Sequence, residues 1–248
     1  MTVFRSTLFA IWLFVGSTVL AILYLPTLIL PRQAIREAIK FWGRYLRFGL
    51  RLTCGVTVEV RGLEHLAEGP ALIAAKHQGW LDIFAGFTVL PDACFVMKRE
   101  LLRIPLVGWY CMKVGMVWVD REGHAAALKR LVADVQDRMK NDRQVVIFPE
   151  GTRRPPGDPG DYKPGIAALY RDLAIPCTPL ATNSGVHFPA KGLMKYPGKV
   201  VFEFLEPIPP GLKRGEFMKV LEERIETASN ALLLADPSGR ERLATDAH

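Results

Sequence analysis

From Gly55 onward, short β-branched runs alternate with stretches of helical periodicity, and no other feature restricts the fold of this chain as tightly. The runs 56–60, 71–75, 94–97, 116–119, 145–148, 178–181 and 200–205 read as strands. Between the fourth and fifth lies 125–139, where Leu128, Leu131, Val132, Val135 and Met139 share one helical face while Lys129, Arg130 and Asp137 lie off it. Further helices are expected over 166–173 and 217–234. Alternation of this kind predicts an α/β fold, with a mixed, partly parallel sheet flanked by helices. The residues from Pro237 are polar and are expected to fray.

Residues 1–54 differ from the α/β domain of 55–248 and read as an N-terminal, membrane-docking helical segment. No charged residue occurs from Leu8 to Leu30. At ~1.5 Å per residue a helix of that length would cross a hydrocarbon core of roughly 30 Å. A cleaved signal peptide fits less well, because the run lacks a small-x-small exit and leads straight into a basic helical pattern. Pro26 lies inside the run, so the segment either kinks or turns back. Beyond it, Arg36, Lys40, Arg44, Arg47 and Arg51 gather on one stripe of a helix, suited to anionic headgroups at on the order of 1 kcal/mol each, the alternative being a solvated basic face on an ordinary core helix. The net charge of +7 is therefore assigned to a membrane surface; with no nucleic-acid motif present, nucleic acid is not expected as a partner. Positive charge just after the apolar run places the bulk of the chain on the cytoplasmic side. Cys54, Cys94, Cys111 and Cys177 are scattered without a CxxC pair, which fits a reduced compartment and no zinc site.

Chemistry is concentrated in two motifs. His77-Gln78-Gly79-Trp80-Leu81-Asp82 follows an apolar strand and sets an imidazole five residues before a carboxylate. An aspartate folded back onto the ring would hold one tautomer and stabilise the imidazolium that forms. No GxSxG elbow is present and Gly79 stands beside the histidine, so the simplest nucleophile is a hydroxyl of the substrate. The alternatives are a core histidine, the role assigned to His65, His124, His187 and His248, and an Asp82 that only stabilises a helix N-terminus.

The second motif, Phe148-Pro149-Glu150-Gly151-Thr152-Arg153, comes after another apolar strand. Glycine admits a ligand close to backbone N–H groups, threonine adds a hydroxyl, and arginine offers a planar fork that matches phosphate oxygens. A surface turn with a solvated arginine is the alternative. The turn-rich loop over 154–161 reads either as a rim over this anion site or as a plain surface connection. No dinucleotide, Walker or HExxH pattern is present.

These residues carry a resemblance. His77 to Asp82 resembles the HxxxxD box of the glycerolipid acyltransferases, and Phe148 to Arg153 matches their FPEGTR box letter for letter. Lys98 to Pro105 with Gly115 to Arg121 resembles their second motif region, and Ile175 to Ala181 their fourth. Four motifs in order, over Lys76 to about Gly185, are similar to those of the bacterial 1-acylglycerol-3-phosphate acyltransferases. The resemblance implies acyl transfer from a thioester cosubstrate, on coenzyme A or on acyl carrier protein as a partner, to the 2-hydroxyl of lysophosphatidic acid, with no other cofactor. It implies His77 as base, Asp82 as its orienting partner, and Arg153, Lys98 and Arg121 around the phosphate, with Glu150, Gly151 and Thr152 shaping that site. A bacterial-type inner membrane is the location it implies. Two alternatives stay within the family: another lysolipid acceptor such as lyso-ornithine lipid, or a non-catalytic membrane-binding homologue. Gly79 and Lys76 depart from its usual serine and asparagine.

Overall fold

The computed structural model describes residues 1–120 and 124–246. Seven strands, β1 (Val56–Arg61), β2 (Ala71–Ala75), β3 (Ala93–Lys98), β4 (Val117–Val119), β5 (Gln144–Ile147), β6 (Cys177–Thr182) and β7 (Gly198–Phe204), form one sheet in the order β1-β7-β6-β2-β5-β3-β4. All neighbours run parallel except β6 and β7. The seven expected runs are these strands, and no end is displaced by more than two residues.

Strand β2 lies at the centre, buried at every position, because helices cover both faces. Leu72 and Ala74 point into a core built with α6 (His124–Met139), α7 (Gly165–Leu173) and α9 (Arg214–Ala235), where Leu131, Ile166, Leu169, Phe217, Leu221 and Ile225 are buried. Ile73 and Ala75 point to the other side, toward Ile35, Leu90, Phe95 and Val146. Two-residue periodicity thus serves two cores, which is why the run reads as continuously apolar. Each fully buried Leu, Ile or Phe contributes about 1.5–3 kcal/mol.

The N-terminal segment forms α1 (Thr2–Ile11), one π-helical turn (Trp12–Gly16) and α2 (Ser17–Leu23). A 3-10 turn over Leu25–Leu28 carries Pro26, and the chain then returns along α3 (Arg32–Cys54). Of the two alternatives at Pro26, the structure shows the turn back. The hairpin is antiparallel: Arg5 donates to the Thr53 carbonyl, Trp12 stacks on Tyr45 at 4.7 Å, and Trp42 donates to Ser17. Close approach needs glycine, since a Cβ on Gly49 would sit 2.2 Å from the Trp12 indole nitrogen. Phe9 and Leu13 are buried with Leu46, Leu50, Phe84, Phe188 and Val200, so 1–54 shares a core with the α/β domain. The outer side is different: Phe4, Ile11, Phe14, Val15, Val19 and Leu23 are exposed along a helix of mean hydropathy 2.1.

The basic stripe on α3 is divided. Arg47 donates to Thr88 on α4 (Leu81–Val89) at 2.6 Å, and Arg36 lies 3.2 Å from Glu37 and 3.8 Å from Asp92. Arg44 and Arg51 are exposed. Contacts with α4 and with Asp92 beyond it therefore take two cations that the periodicity alone assigns to headgroups. The polar end of the chain is also corrected. Residues Pro237–Asp246 form helix α10, because Asp236 accepts from the Ser238 and Gly239 amides and Pro237 occupies the first turn.

Asp92 ties α3 to the lower edge of the sheet. Its carboxylate accepts both guanidinium nitrogens of Arg32, at 3.1 and 2.6 Å, and the Nε of fully buried Arg143 at 3.2 Å. Burial opposes its ionisation, yet Arg32, Arg143 and Arg36 outweigh burial and hold the carboxyl below the usual range. A depressed carboxylate stabilises the fold at neutral pH and loses that contribution as pH falls through its native pKa. Asp92→Ala leaves Arg143 buried without its ion-pair partner and is expected to lower unfolding free energy by about 3–5 kcal/mol at neutral pH, measured by denaturant titration. A change below about 1 kcal/mol would show that Arg143 relaxes freely.

Candidate active site

Strand β2 ends at Ala75, and the next two residues are held by neighbouring chain. The Lys76 amide still donates to Leu180 of β6, at 2.9 Å. The His77 amide instead donates to the Glu150 carboxylate at 2.9 Å, and the His77 carbonyl accepts from the Arg154 amide at 2.8 Å. The loops after β2 and β5 are thereby joined backbone to motif, which satisfies polar groups that no strand reaches.

The chain then turns into α4, whose first turn contains Asp82. Its buried carboxylate accepts four bonds. Oδ2 takes the Gln78 and Gly79 amides at 2.7 and 2.9 Å and the His77 Nδ1 at 2.8 Å, while Oδ1 takes the Ser184 hydroxyl. With Oδ2 accepting, Nδ1 carries the proton and Nε2 presents a lone pair. Nε2 has no hydrogen-bond partner among the described residues, and the His77 side chain retains 13% exposure. The ring stacks on Phe148, centroids 3.9 Å apart, which fixes its plane. An apolar cavity of about 20 Å³ beneath the pair holds no more than about one water, so its inner flank is packed.

Ser184 is a partner that no motif points to; it comes from α8 (Ser184–His187), just past β6, and sits 102 residues from Asp82. Gln78 is its counterpart in the first motif, accepting the Gly185 amide at 2.9 Å. The glycine at position 79 has a steric reason. A Cβ there would stand 2.6 Å from the Phe188 carbonyl oxygen.

Strand order assembles the remaining residues. His77, Arg153 and Lys98 follow or end β2, β5 and β3, which are adjacent, and strands lie about 4.8 Å apart. Arg153 is exposed, donates to the Ala190 carbonyl at 3.3 Å and places its guanidinium 5.9 Å from the Trp80 ring centroid. Lys98 and Thr152 are exposed, and Gly151 turns the chain with φ +65°. Arg121 lies outside the described residues. Glu150 points inward: it is 1% exposed, and its carboxylate meets His77 and Lys76 instead of the cleft. The loop after Arg153 packs partly inward, with Pro156 against Gly185. His187 is a buried histidine, as expected, with Nε2 on Asp236 at 2.7 Å and Nδ1 on the Tyr196 carbonyl at 3.2 Å.

The site thus holds an imidazole locked by a carboxylate, with its other nitrogen open, at the end of a strand adjacent to the one that leads to Arg153. The acyltransferase family model matches residues 57–183, which contain both motifs. The 1-acyl-sn-glycerol-3-phosphate acyltransferase of Pseudomonas aeruginosa is 36% identical over 173 residues, 69% of this chain and 67% of that one. The Mus musculus 1-acyl-sn-glycerol-3-phosphate acyltransferase alpha is 31% identical over 75% of this chain and 68% of that protein. In structure, the chain is similar to the 1-acyl-sn-glycerophosphate (LPA) acyltransferase PlsC from Thermotoga maritima, with TM-score 0.76 and 25% identity over 94% of this chain and 98% of that one. The chain belongs to the acyltransferase family, and it is an enzyme of acyl transfer.

Ser184→Ala removes one of the four bonds on Asp82 and should lower stability by about 1–3 kcal/mol, since that carboxylate oxygen is left buried and unsatisfied. Gly79→Ser, which restores the family's usual serine, is expected to be worse still than Ser184→Ala in thermal unfolding because it must displace the backbone at Phe188. A Gly79→Ser protein as stable as the parent would refute the steric account.

Proposed function

We propose that this enzyme transfers a fatty acyl group from a thioester, on coenzyme A or acyl carrier protein, to the 2-hydroxyl of 1-acylglycerol 3-phosphate, giving phosphatidic acid. The observation that carries this reading is the His77 ring itself, with Nδ1 committed to Asp82 and Nε2 open. The acceptor hydroxyl gives its proton to Nε2 as its oxygen bonds the thioester carbonyl carbon. Collapse of the tetrahedral adduct breaks the C–S bond, and the departing thiolate takes the proton from the imidazolium. Asp82 stabilises the cation in between. Arg153 and Lys98, with Arg121, hold the acceptor phosphate; Gly151 and Thr152 line the turn that presents Arg153, and Glu150 supports it from within. No cofactor beyond the thioester is required.

The same reading places the protein on the cytoplasmic face of a bacterial-type inner membrane. The exposed apolar side of α1 and α2, together with exposed Arg44 and Arg51 on α3, supports docking into one leaflet. Crossing is disfavoured by Phe9 and Leu13, whose burial against the α/β core would have to be undone.

Purified protein in detergent, given labelled acyl thioester and lysophosphatidic acid, is expected to form phosphatidic acid, and His77→Ala to reduce kcat by about 10²- to 10⁴-fold. Absence of product, or an unchanged rate in the variant, overturns the assignment. Arg153→Ala should raise KM for lysophosphatidic acid by about tenfold, as loss of a charge-assisted contact requires. If a phosphate-free acceptor such as lyso-ornithine lipid is the better substrate, and its turnover ignores Arg153→Ala, the acceptor is misassigned.

A further inference from the structure

Lys76 carries a charge that the transfer chemistry does not use, and it is one of the largest fully buried side chains in the molecule. Its ammonium donates to both carboxylate oxygens of Glu226 on α9, at 2.8 and 2.9 Å, and to the Asp158 carbonyl at 2.8 Å. It also lies 2.5 Å from Glu150 Oε1, outside hydrogen-bond geometry, as an ion pair. Tyr162 donates its hydroxyl to Glu226 at 2.9 Å. The other Glu150 oxygen receives the His77 amide. One cation therefore serves two carboxylates, Glu150 buried and Glu226 half-buried, and the buried one grips the peptide of the base.

Burying an ion costs several kcal/mol unless it is paired, so this cluster is stable only as a unit. We infer that Lys76 and Glu226 are positioning residues that act through Glu150: they set the placement of the His77 peptide and couple helix α9 to the catalytic base. The inference rests on the reading of His77 as base. Burial pushes the Glu150 carboxyl up, with Lys76 opposing and Glu226 adding to the rise, to about 7. The ionisable groups around it are Lys76 and His77 at the end of β2, Arg154 and Tyr162 in its own loop, and Glu222 and Glu226 on α9. Tyr162 is itself pushed up by burial, which keeps it a neutral donor.

The two partners perturb Glu150 in opposite senses, and that gives the test its sign. Glu226→Gln removes a negative charge, so Glu150 ionises more readily and the acid limb of the kcat profile should move to lower pH. Lys76→Met removes the opposing cation and should move the same limb to higher pH. In a Glu150→Gln background neither shift should remain, whereas a direct effect of either charge on His77 would persist there. KM for the acceptor should stay within about twofold in the single variants, because no substrate contact is lost. Limbs that stay put, move together, or still move without Glu150 overturn the inference.

A second measurement needs no turnover. Amide hydrogen exchange at His77 in the full-length protein should quicken by about tenfold in Lys76→Met while exchange in β3 holds, as local opening predicts. Unchanged exchange at His77 overturns the inference. An inactive parent enzyme would instead sink the acyl-transfer reading and leave the exchange result to decide the network.

Discussion

The buried carboxylate of Asp82 is where the elements of the site meet. Four donors converge on it, from the loop after β2, from the His77 ring and from the start of α8. Each donor satisfies a group that would otherwise be buried unpaired, so the carboxylate fixes the loop, the short helix and the ring plane together. A second histidine and aspartate in the same chain show what this arrangement adds. At His187 both ring nitrogens face protein oxygens, on Asp236 and the Tyr196 carbonyl, so neither is open to a ligand. At His77 one nitrogen is bound and the other is open. A carboxylate holds the ring in both places, and on the proposed reading the open nitrogen separates a base from a clasp.

Topology sets the groups that open nitrogen can meet. Crossovers bring β2, β5 and β3 side by side, so segments distant in the chain end at one edge of the sheet. Ligands in open parallel sheets gather at the carboxyl ends of strands, where loops are free to carry chemistry without breaking the ladder. The antiparallel β6 and β7 pair does its work on the other flank. The chain leaving β6 folds at once into α8, which delivers Ser184 to Asp82 and Gly185 to Gln78.

Much of this is legible in the sequence. The seven strands are visible because buried parallel strands read as unbroken apolar runs, and the His77 and Asp82 pair because its partners are five residues apart. The hidden part is set by contacts between distant residues. Nothing near Lys76 announces Glu226, 150 positions away, and nothing near Asp82 announces Ser184. Glu150 stands in a motif that reads as an anion site, yet its carboxylate turns inward, because the peptide it must satisfy belongs to another strand. The same cause divides the stripe on α3. Helical periodicity collects five cations on one side but does not say that α4 will lie against part of it. The tail departs from expectation for a local reason, since Asp236 before a proline is a helix start that polar composition conceals.

The N-terminal hairpin reaches the site through an aromatic contact. The π-helical turn inserts an extra residue into the helix and so rotates α2 relative to α1. Trp12 there is pinned between α1 and α3 by stacking on Tyr45 and by donating to its carbonyl at 3.2 Å. Phe14, in the same turn, meets the edge of Trp80 at 6.4 Å, and Trp80 in turn lies under the Arg153 guanidinium. Both aromatic rings are exposed, so apolar surface reaches from the hairpin at Phe14 to Trp80 beside Arg153. On the proposed reading this contact answers a geometric demand of the substrate. A lysolipid has its free hydroxyl one carbon from its phosphate and its acyl chain on the next position. A site that holds the phosphate at Arg153 must leave that chain an apolar path, and Trp80 with Phe14 supplies the first steps of one.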